Sequence, residues 1–508
     1  MKKKNNVNRY RINKFILITI IIILLLLAGF LLYTFVTRHG ITAAGPYDGH
    51  LKNYNTGLTA EESYQQDLKF IYQEIKENYV DLGYKENLFH FDWDERYEFY
   101  RRKLETVASK KDFYKICNEY IATLKDGHVW FEEYNTDPDL RLWAPYSKGF
   151  VFAFELRYIQ GHTIVVSNRL NGSLNGYELV SIEGIPITQI LDTMLKYCYQ
   201  RGNDDSARSY LLKSGEFYRY FLYEYDTYPQ ELTFELINKE GLTKTITMET
   251  NTTLDQNYDN YKNINLGTTE SSLPTVKIFD ETGYIRIDSF NSNVQEIVSA
   301  FQDAVNTLKE ANVKGAVLDL RYNGGGNESF RKVLSYLTKK DIVIANYHYR
   351  KSPRFYDIFY LRPLLGTVSG ETADFEAEKG YTNWYKWTVQ PSKEPFLTTI
   401  PVAVLCNESI FSSTNDFVYA CLKYNLAKVV GNTVPLSGNG LSTQIVLPSR
   451  EYVISYCFFE SMAPDGSPFE NVILKPDIAV EQSYDDLIKN RDTQLNAALD
   501  YIKKAAVK

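Results

Sequence analysis

Apolar positions recur with different periods along this chain of 508 residues. Between Glu61 and about Thr123 they lie three or four positions apart, which predicts helices. Residues 145–250 hold short β-branched and aromatic runs separated by Gly and Asn, which predicts a small β-rich module. From residue 275 onward, predicted strands and helices alternate. That order is typical of an α/β domain, and a chain of this length is expected to hold two or three domains.

The α/β region is predicted element by element. Strands are expected at residues 283–288, 315–320 and 402–406, and helices at 294–311 and 414–422. An aromatic-rich insertion at residues 351–398 interrupts the alternation, and it either forms a flap or packs on the core. Residues 251–274 are polar and lack periodicity, which predicts a linker.

Inside the β-rich module, residues 176–187 are followed by an amphipathic stretch that reaches about Tyr197. This order of strand, turn, strand and helix resembles part of a PDZ domain. A β-hairpin without a binding role is the alternative, because many hairpins carry a turn glycine between apolar flanks.

The uncharged apolar run at residues 15–37 is long enough to cross a hydrocarbon layer of about 30 Å. Basic residues without any acid occupy residues 1–14, which predicts a cytoplasmic N-terminus. A cleaved secretory signal is the alternative, although its apolar region is usually about 7–15 residues long. We therefore expect a single-pass anchor in the cell membrane, a tether at residues 38–60 and an extracytoplasmic remainder.

Charge and cysteine content exclude several classes of protein. The formal net charge is −7 at pH 7, and the basic N-terminal segment makes the remainder more acidic still, which argues against nucleic acid as a partner. The five cysteines are widely spaced and form neither a disulfide framework nor a zinc-ligand pattern. Buried thiols are expected, with one incidental disulfide as the alternative.

A glycine triplet, Gly324–Gly326, directly follows a predicted strand. Glycines let the backbone approach a ligand closely, and their N–H groups can face a developing oxyanion. A phosphate-binding loop is the alternative, but neither G-x-x-x-x-G-K-[ST] nor G-x-G-x-x-G occurs in the sequence. For the nearby Arg321, a salt bridge under the sheet is favoured over a contact with a substrate carboxylate.

Ser412 and Ser413 lie between a predicted strand and a predicted helix. A serine there stands where helix amides favour negative charge on an attacked carbonyl, although helix capping is the alternative role. A serine nucleophile needs a base, usually a histidine at neutral pH. Of the six histidines, His128 lies in a turn after the helical region, and the others, including His348, are assigned no role.

Four motifs occur in the order seen in the C-terminal-processing and tricorn-like serine peptidases. They are Asp126-Gly127-His128 and the runs at residues 319–326, 412–417 and 470–478. Over residues 65–500 the chain resembles the tricorn-like branch of this family. The resemblance implies a crotonase-like (ClpP/crotonase) α/β catalytic domain at residues 275–508, a helical domain at 61–144 and a small PDZ-like module at 145–250.

The resemblance also implies the roles of individual residues. Ser413 matches the nucleophile, with Ser412 as the fallback, and His128 matches the general base. Glu470 matches the carboxylate that orients the imidazole, either directly or through a bridging group.

The amides of Gly325 and Thr414 match the oxyanion hole, with Gly326 as their neighbour. No metal or cofactor is implied. These parts meet the chemical needs of acyl transfer, namely an activated hydroxyl, a base, an orienting acid and fixed donors.

The chain departs from the family pattern at three positions. Asn439 stands where the processing branch has a lysine base, so a Ser–Lys dyad is not expected. Gly127 stands where the tricorn branch has a serine that bridges to the histidine, so a water or another hydroxyl is the expected bridge. Ile473 replaces a glycine before the Pro-Asp pair.

The sequence therefore predicts a membrane-anchored extracytoplasmic serine endopeptidase that works through an acyl-enzyme. A polypeptide, held by its C-terminus or by an extended segment, is the expected partner. A catalytically inactive peptidase-fold protein that binds peptides at the membrane surface is the alternative. An acyl-CoA enzyme is disfavoured because such substrates are cytoplasmic.

Overall fold

The computed structural model describes most of the chain after the N-terminal region. The described residues are 46–54, 57–107, 109–134, 154–168, 174–199, 204–214, 221, 224, 231–249, 273–359 and 371–507. The predicted anchor at residues 15–37 and nearly all of the predicted linker at 251–274 lie outside them. In the described part, no helix combines the length and the apolar character needed to cross a membrane.

Four helices follow the first described residues, as the apolar spacing predicted. They are α1 (Ala60–Asn78), α2 (Leu82–Phe89), α3 (Trp93–Leu104) and α4 (Lys110–Ala122). Helix α1 begins at a capping box in which Thr59 and Glu62 satisfy each other's backbone amides. The buried faces of the helices join one hydrophobic core with the strands that follow.

The β-rich module contains strands β2 (Phe154–Ile159), β3 (His162–Asn168), β4 (Glu178–Ile182), β5 (Ile185–Pro186), β6 (Glu231–Ile237) and β7 (Thr243–Glu249). They form one antiparallel sheet of order β2-β3-β4-β6-β7, and β5 pairs with β4. Helix α5 (Ile187–Met194) follows β5 directly, and α6 (Asp204–Ser214) follows α5. The predicted order of strand, turn, strand and helix is confirmed, whereas the PDZ-like class stays a prediction.

A six-stranded sheet of order β19-β14-β13-β10-β9-β8 forms the centre of the last region. Its strands are β8 (Thr275–Phe279), β9 (Thr282–Arg286), β10 (Gly315–Asp319), β13 (Val402–Cys406), β14 (Lys428–Gly431) and β19 (Ile478–Ala479). All neighbouring pairs are parallel except β8 with β9. Every residue of β10 and β13 is buried, as expected for strands covered on both faces.

Helices cover this parallel sheet. They are α7 (Val294–Glu310), α8 (Ser329–Leu334), α10 (Ser413–Tyr424) and α12 (Thr493–Ala505), with the short α11 (Tyr484–Ile488) before α12. The predicted strands and helices of this region are therefore confirmed, with small shifts at their ends. Since parallel strands end at one edge of a sheet, the loops after β10 and β13 lie side by side.

A second sheet contains β1 (Trp130–Glu133), β11 (Ile342–Tyr349), β12 (Tyr385–Val389), β16 (Asn439–Val446) and β17 (Tyr452–Met462). Its neighbouring strands are antiparallel. Strands β15 (Val434–Pro435) and β18 (Ile473–Leu474) form a small separate pair. Strand β1 follows the four helices directly, so the second sheet joins the N-terminal region to the last region.

The described parts of the insertion at residues 351–398 pack on the body of the protein. Strand β12 extends the second sheet, and Phe355 of α9 (Pro353–Phe359) and Trp384 are buried. For these residues the packing alternative holds. The five cysteines are all free and buried, as the sequence predicted.

Candidate active site

His128 is held in the turn between α4 and β1. Its backbone N–H donates to the Oδ1 atom of Asp126 at 2.8 Å, and Asp126 in turn accepts from the Tyr79 hydroxyl at 2.6 Å. Strand β1 pairs with β17, which fixes the end of the turn. The imidazole lies 4.4 Å from the ring of Phe411, measured between ring centres. The backbone hydrogen bond, the strand pairing and the contact with Phe411 therefore hold the His128 side chain in place.

The Nε2 atom of His128 lies 3.1 Å from the Oγ atom of Ser412. Ser412 stands at the sharp turn between β13 and α10 with φ 54° and ψ −129°. A positive φ is uncommon for a residue other than glycine, and strained backbone of this kind occurs at active sites. The same strand–turn–helix placement exposes the nucleophile of many serine hydrolases.

The two serines occupy different positions, and the geometry favours Ser412 over the predicted Ser413. Ser413 is the first residue of α10 and is buried, and its hydroxyl has no hydrogen-bond partner among the described residues. The hydroxyl that contacts the histidine belongs to Ser412. The predicted helix began at residue 414 whereas α10 begins at Ser413, and this shift of one residue changes which serine occupies the turn.

The other imidazole nitrogen of His128, Nδ1, lies 2.9 Å from the Oγ atom of Ser437. Ser437 is buried between β15 and β16. A bridging hydroxyl was expected, but this residue was not identified. The sequence held one usable signal, because Ser437 directly precedes the Gly438–Gly440 segment that was already compared with the lysine motif of the processing branch.

Glu470 lies in a buried polar cluster next to Ser437. Its Oε2 atom accepts from the N–H of Gly438 at 2.8 Å, and its Oε1 atom lies 2.5 Å from Nζ of Lys85. Burial raises the pKa of Glu470 to about 7, although the Lys85 ammonium acts in the opposite direction. Glu470 thus supports the backbone that carries Ser437.

Lys85 was missed by the sequence analysis. It lies on α2, its side chain is fully buried, and it also donates to Oδ1 of Asn471 at 2.6 Å. A lysine on a short helix gives no sequence signal of this role, because its partner is 385 residues away.

Two of the predicted oxyanion donors are already engaged in hydrogen bonds. The Gly325 N–H donates to Oδ1 of Asn323 at 2.8 Å, and the Thr414 N–H donates to the Phe411 carbonyl at 3.2 Å. In contrast, the amides of Gly326 and Ser413 have no acceptor among the described residues. The first amides of a helix lack partners within it, which explains the free N–H of Ser413.

The glycine loop packs directly against the serine turn. A Cβ atom on Gly325 would lie 2.8 Å from Cβ of Ser412 and 3.0 Å from N of Ser413. Asn323 joins the two loops, since its carbonyl accepts from the Phe411 N–H at 3.1 Å and its Oδ1 accepts from the Thr414 hydroxyl at 2.8 Å. The structure therefore brings together the glycine loop, the serine turn, His128 and Glu470, as the sequence predicted.

Arg321 takes no part in this site. It forms a buried salt bridge with Asp319 at 2.6 Å and another with Asp492 at 2.7 Å. The interpretation of Arg321 as a salt-bridge residue is confirmed.

A serine and a histidine joined at the end of a parallel sheet are the central groups of a serine hydrolase site. Comparison with known sequences gives the family. Residues 281–480 match the sequence model of Peptidase family S41, and residues 60–122 match that of the Tricorn protease C1 domain. Over these two stretches the resemblance to the tricorn-like serine peptidases of family S41 is confirmed.

One curated relative is the Tricorn protease homolog of Saccharolobus solfataricus, with 29% identity over 116 residues. The match covers 23% of this chain and 11% of the relative, so it spans only a small part of that protein.

Among solved structures, mature CPAF has a TM-score of 0.62 and 16% identity, and the match covers 88% of this chain and 96% of that one. Mature CPAF complexed with lactacystin has a TM-score of 0.61 and 15% identity, with 88% and 98% covered. At these identities the similarity shows a shared fold. That fold is the mixed α/β architecture described above.

Proposed function

We propose that the protein is a serine endopeptidase in which Ser412 is the nucleophile and His128 the general base. The distance of 3.1 Å between His128 Nε2 and Ser412 Oγ carries this proposal. A separation of about 2.6–3.2 Å is the range in which a base can take the proton of a serine hydroxyl. The close contact also favours an enzyme over a peptide-binding protein that has lost catalysis.

The reaction follows from these contacts. Ser412 Oγ attacks the carbonyl carbon of a peptide bond while His128 Nε2 takes its proton, and His128 then gives that proton to the leaving amine. Water hydrolyses the acyl ester on Ser412 by the same route in reverse. Nε2 can accept a proton only when Nδ1 carries one. The Ser437 oxygen lies within hydrogen-bond distance of Nδ1 and can accept a hydrogen bond from this N–H.

The negative charge on the attacked oxygen needs fixed donors. With Ser412 as nucleophile, the amide of the following residue is that of Ser413, which replaces the predicted Thr414 amide. The free N–H groups of Ser413 and Gly326 are the proposed oxyanion hole. Gly325 contributes by its small size, because a side chain there would collide with the serine turn.

Glu470 is proposed as a positioning residue. Its carboxylate binds the N–H of Gly438, so it holds the segment that presents Ser437 to His128. Lys85 supplies the positive charge that supports an ionised carboxylate in this buried place.

The proposal also includes the class of each domain and the location of the protein. The catalytic region is proposed to be crotonase-like and the module at residues 145–250 PDZ-like, with residues 15–37 as a membrane anchor and the catalytic part outside the cytoplasm. The apolar run, the basic segment before it and the order of elements in the module support this. An extended polypeptide or a free C-terminus is the proposed substrate.

Cleavage of an unstructured polypeptide by the full-length protein tests the proposal. Ser412→Ala is expected to lower kcat/KM by a factor of about 1,000 or more, and His128→Ala by a similar factor. Ser413→Ala is the matched control, because it changes the neighbouring side chain and keeps the backbone amide, and it is expected to stay within about tenfold of the parent. Full activity in Ser412→Ala would contradict the assignment.

A further inference from the structure

A cavity lies beside the candidate active site, and apart from Glu470 its side chains have no role in the proposed reaction. Its volume is about 540 Å³. Five carboxylates line it, and no lysine or arginine is among the described residues of its wall. The carboxylates are Asp81, Glu376, Glu378, Glu460 and Glu470.

Three side chains around this cavity converge on one point. His348, Glu378 and Glu460 each offer a ligand atom, and these atoms all lie within 4.8 Å of one another. The Nε2 atom of His348 is 2.9 Å from Oε1 of Glu460. Two ligands held about 2.1 Å from one metal ion are at most about 4.2 Å apart, so small side-chain movements would complete the set.

Two buried polar atoms of this region lack partners in the described part of the chain. Asp81 lines the cavity and is 3% exposed, and its Oδ1 atom has no hydrogen-bond partner. The Nδ1 atom of the fully buried His348 has none either. A buried polar group without a partner costs free energy, and a bound cation would satisfy the carboxylate oxygen.

The imidazole of His348 is fixed for ligation. Its ring stacks on that of Trp384, with ring centres 3.5 Å apart, and on that of Tyr381 at 4.5 Å. The stacking therefore holds the ring in one orientation beside Glu460.

We propose that His348, Glu378 and Glu460, supported by Asp81, form a binding site for one divalent transition-metal cation such as Zn²⁺ or Mn²⁺. One imidazole with several carboxylates suits these ions, since carboxylates alone would favour Mg²⁺ or Ca²⁺. The site is separate from the proposed reaction. It borders the catalytic region through Glu470, and Asp81 precedes α2, the helix that carries Lys85.

Calorimetric titration of the full-length protein with ZnCl₂ or MnCl₂ tests the site. The parent is expected to bind one equivalent with a Kd below about 10 µM. Glu378→Gln and Glu460→Gln are each expected to weaken binding by about tenfold or more. Glu376→Gln is the matched control, because Glu376 lies two positions from Glu378 and lines the same cavity outside the cluster, and it is expected to stay within about twofold.

Thermal unfolding with and without the metal gives a second readout that does not depend on peptidase activity. The melting temperature of the parent and of Glu376→Gln should rise with metal, whereas that of Glu378→Gln should rise less. Glu378 is exposed, so its variant is expected to fold normally. The proposal is overturned if the parent shows no saturable binding, or if Glu378→Gln binds the metal as tightly as Glu376→Gln.

Discussion

Two buried ionic clusters of this protein contain similar charged groups, but the pKa values of their central carboxyl groups are shifted in opposite directions. In the first, Asp319 binds Arg321 and Arg286 and accepts from the Tyr284 hydroxyl. Burial alone would raise the pKa of Asp319, but the two guanidinium groups outweigh it and hold that pKa below its usual value. Asp319 is therefore expected to be ionised at neutral pH.

In the second cluster, Glu470 has a single cation, Lys85, as its salt-bridge partner in the described part of the chain. One ammonium does not offset the burial of the carboxyl group, and its pKa rises to about 7. The difference separates a structural cluster from one whose charge can change near neutral pH. The cluster with the poised charge is the one that lies beside the proposed catalytic groups.

The largest effect is expected from breaking the structural cluster. Arg321→Met keeps the apolar volume and leaves Asp319 and Asp492 short of a cation, so the free energy of unfolding should fall by about 3–5 kcal/mol. Arg101→Met, which removes exposed ion pairs with Glu98 and Glu105, should change it by less than about 1 kcal/mol. Urea unfolding measures the stability of both variants. Equal stability of the two would contradict the structural role of the Arg321 cluster.

The second-largest effect is expected at Glu470, the carboxyl group whose charge can change near neutral pH. Glu470→Gln keeps an oxygen that can accept from Gly438 and removes the charge, so kcat/KM should fall about 100-fold at pH 8. As the pH falls through about 7, the parent protonates Glu470 and loses the carboxylate. The ratio of parent to variant activity should therefore be smaller at pH 6 than at pH 8.

A pH–rate profile from pH 6 to 8 checks this point, with Glu394→Gln as a control for an exposed glutamate in an ion pair. A constant ratio across the range would mean that the charge of Glu470 does not matter for catalysis.

A smaller loss of activity is expected at the bridging hydroxyl. Ser437→Ala removes the contact with His128 Nδ1, and kcat should fall about tenfold while KM changes little, because the imidazole loses orientation. Ser455→Ala provides the matched control, since Ser455 is also buried and its hydroxyl has no partner among the described residues. Steady-state kinetics of both variants separate the two effects, and equal kcat values would exclude a role for Ser437.

The smallest effect is expected at Asp67, a buried carboxyl group that has no salt-bridge partner among the described residues. Burial raises the pKa of Asp67 to about 7, and the Ser449 N–H donates to its Oδ1 atom at 2.9 Å. Because this pKa exceeds that of the unfolded chain, the group favours folding at low pH, and that contribution is lost as the pH rises to about 7.

Asp67→Asn should therefore stabilise the protein by about 1–2 kcal/mol at pH 8 and change little at pH 5. Thermal unfolding at the two pH values measures this difference. Asp94→Asn, at an exposed ion pair with Lys76, is the control and should not gain stability at pH 8. A gain at pH 5 as large as that at pH 8 would contradict the assignment.

The order of motifs along the sequence predicted the central sheet and most of the site. Buried runs such as residues 315–320 and 402–406 have no polar face, so their strands were readily predicted. His128 and Glu470 could be placed near the serine turn because their motifs keep a family pattern. The choice of Ser413 rested on the same kind of motif match, which does not define which of two adjacent serines stands in the turn and which begins the helix.

Ser437 and Lys85 could not be placed from the sequence for a different reason. Their partners, His128 and Glu470, are 309 and 385 residues away along the chain. Such contacts depend on how the second sheet joins the N-terminal helices to the last region. No local pattern around either residue encodes that arrangement.

Labelling of the full-length protein with a fluorophosphonate, followed by peptide mapping in a mass spectrometer, tests the central claim most directly. This reagent forms a covalent bond with an activated serine hydroxyl. Ser412 is expected to carry the label in the parent and in Ser413→Ala, whereas His128→Ala is expected to carry none. A label on Ser413, or labelling that persists without His128, would contradict this claim.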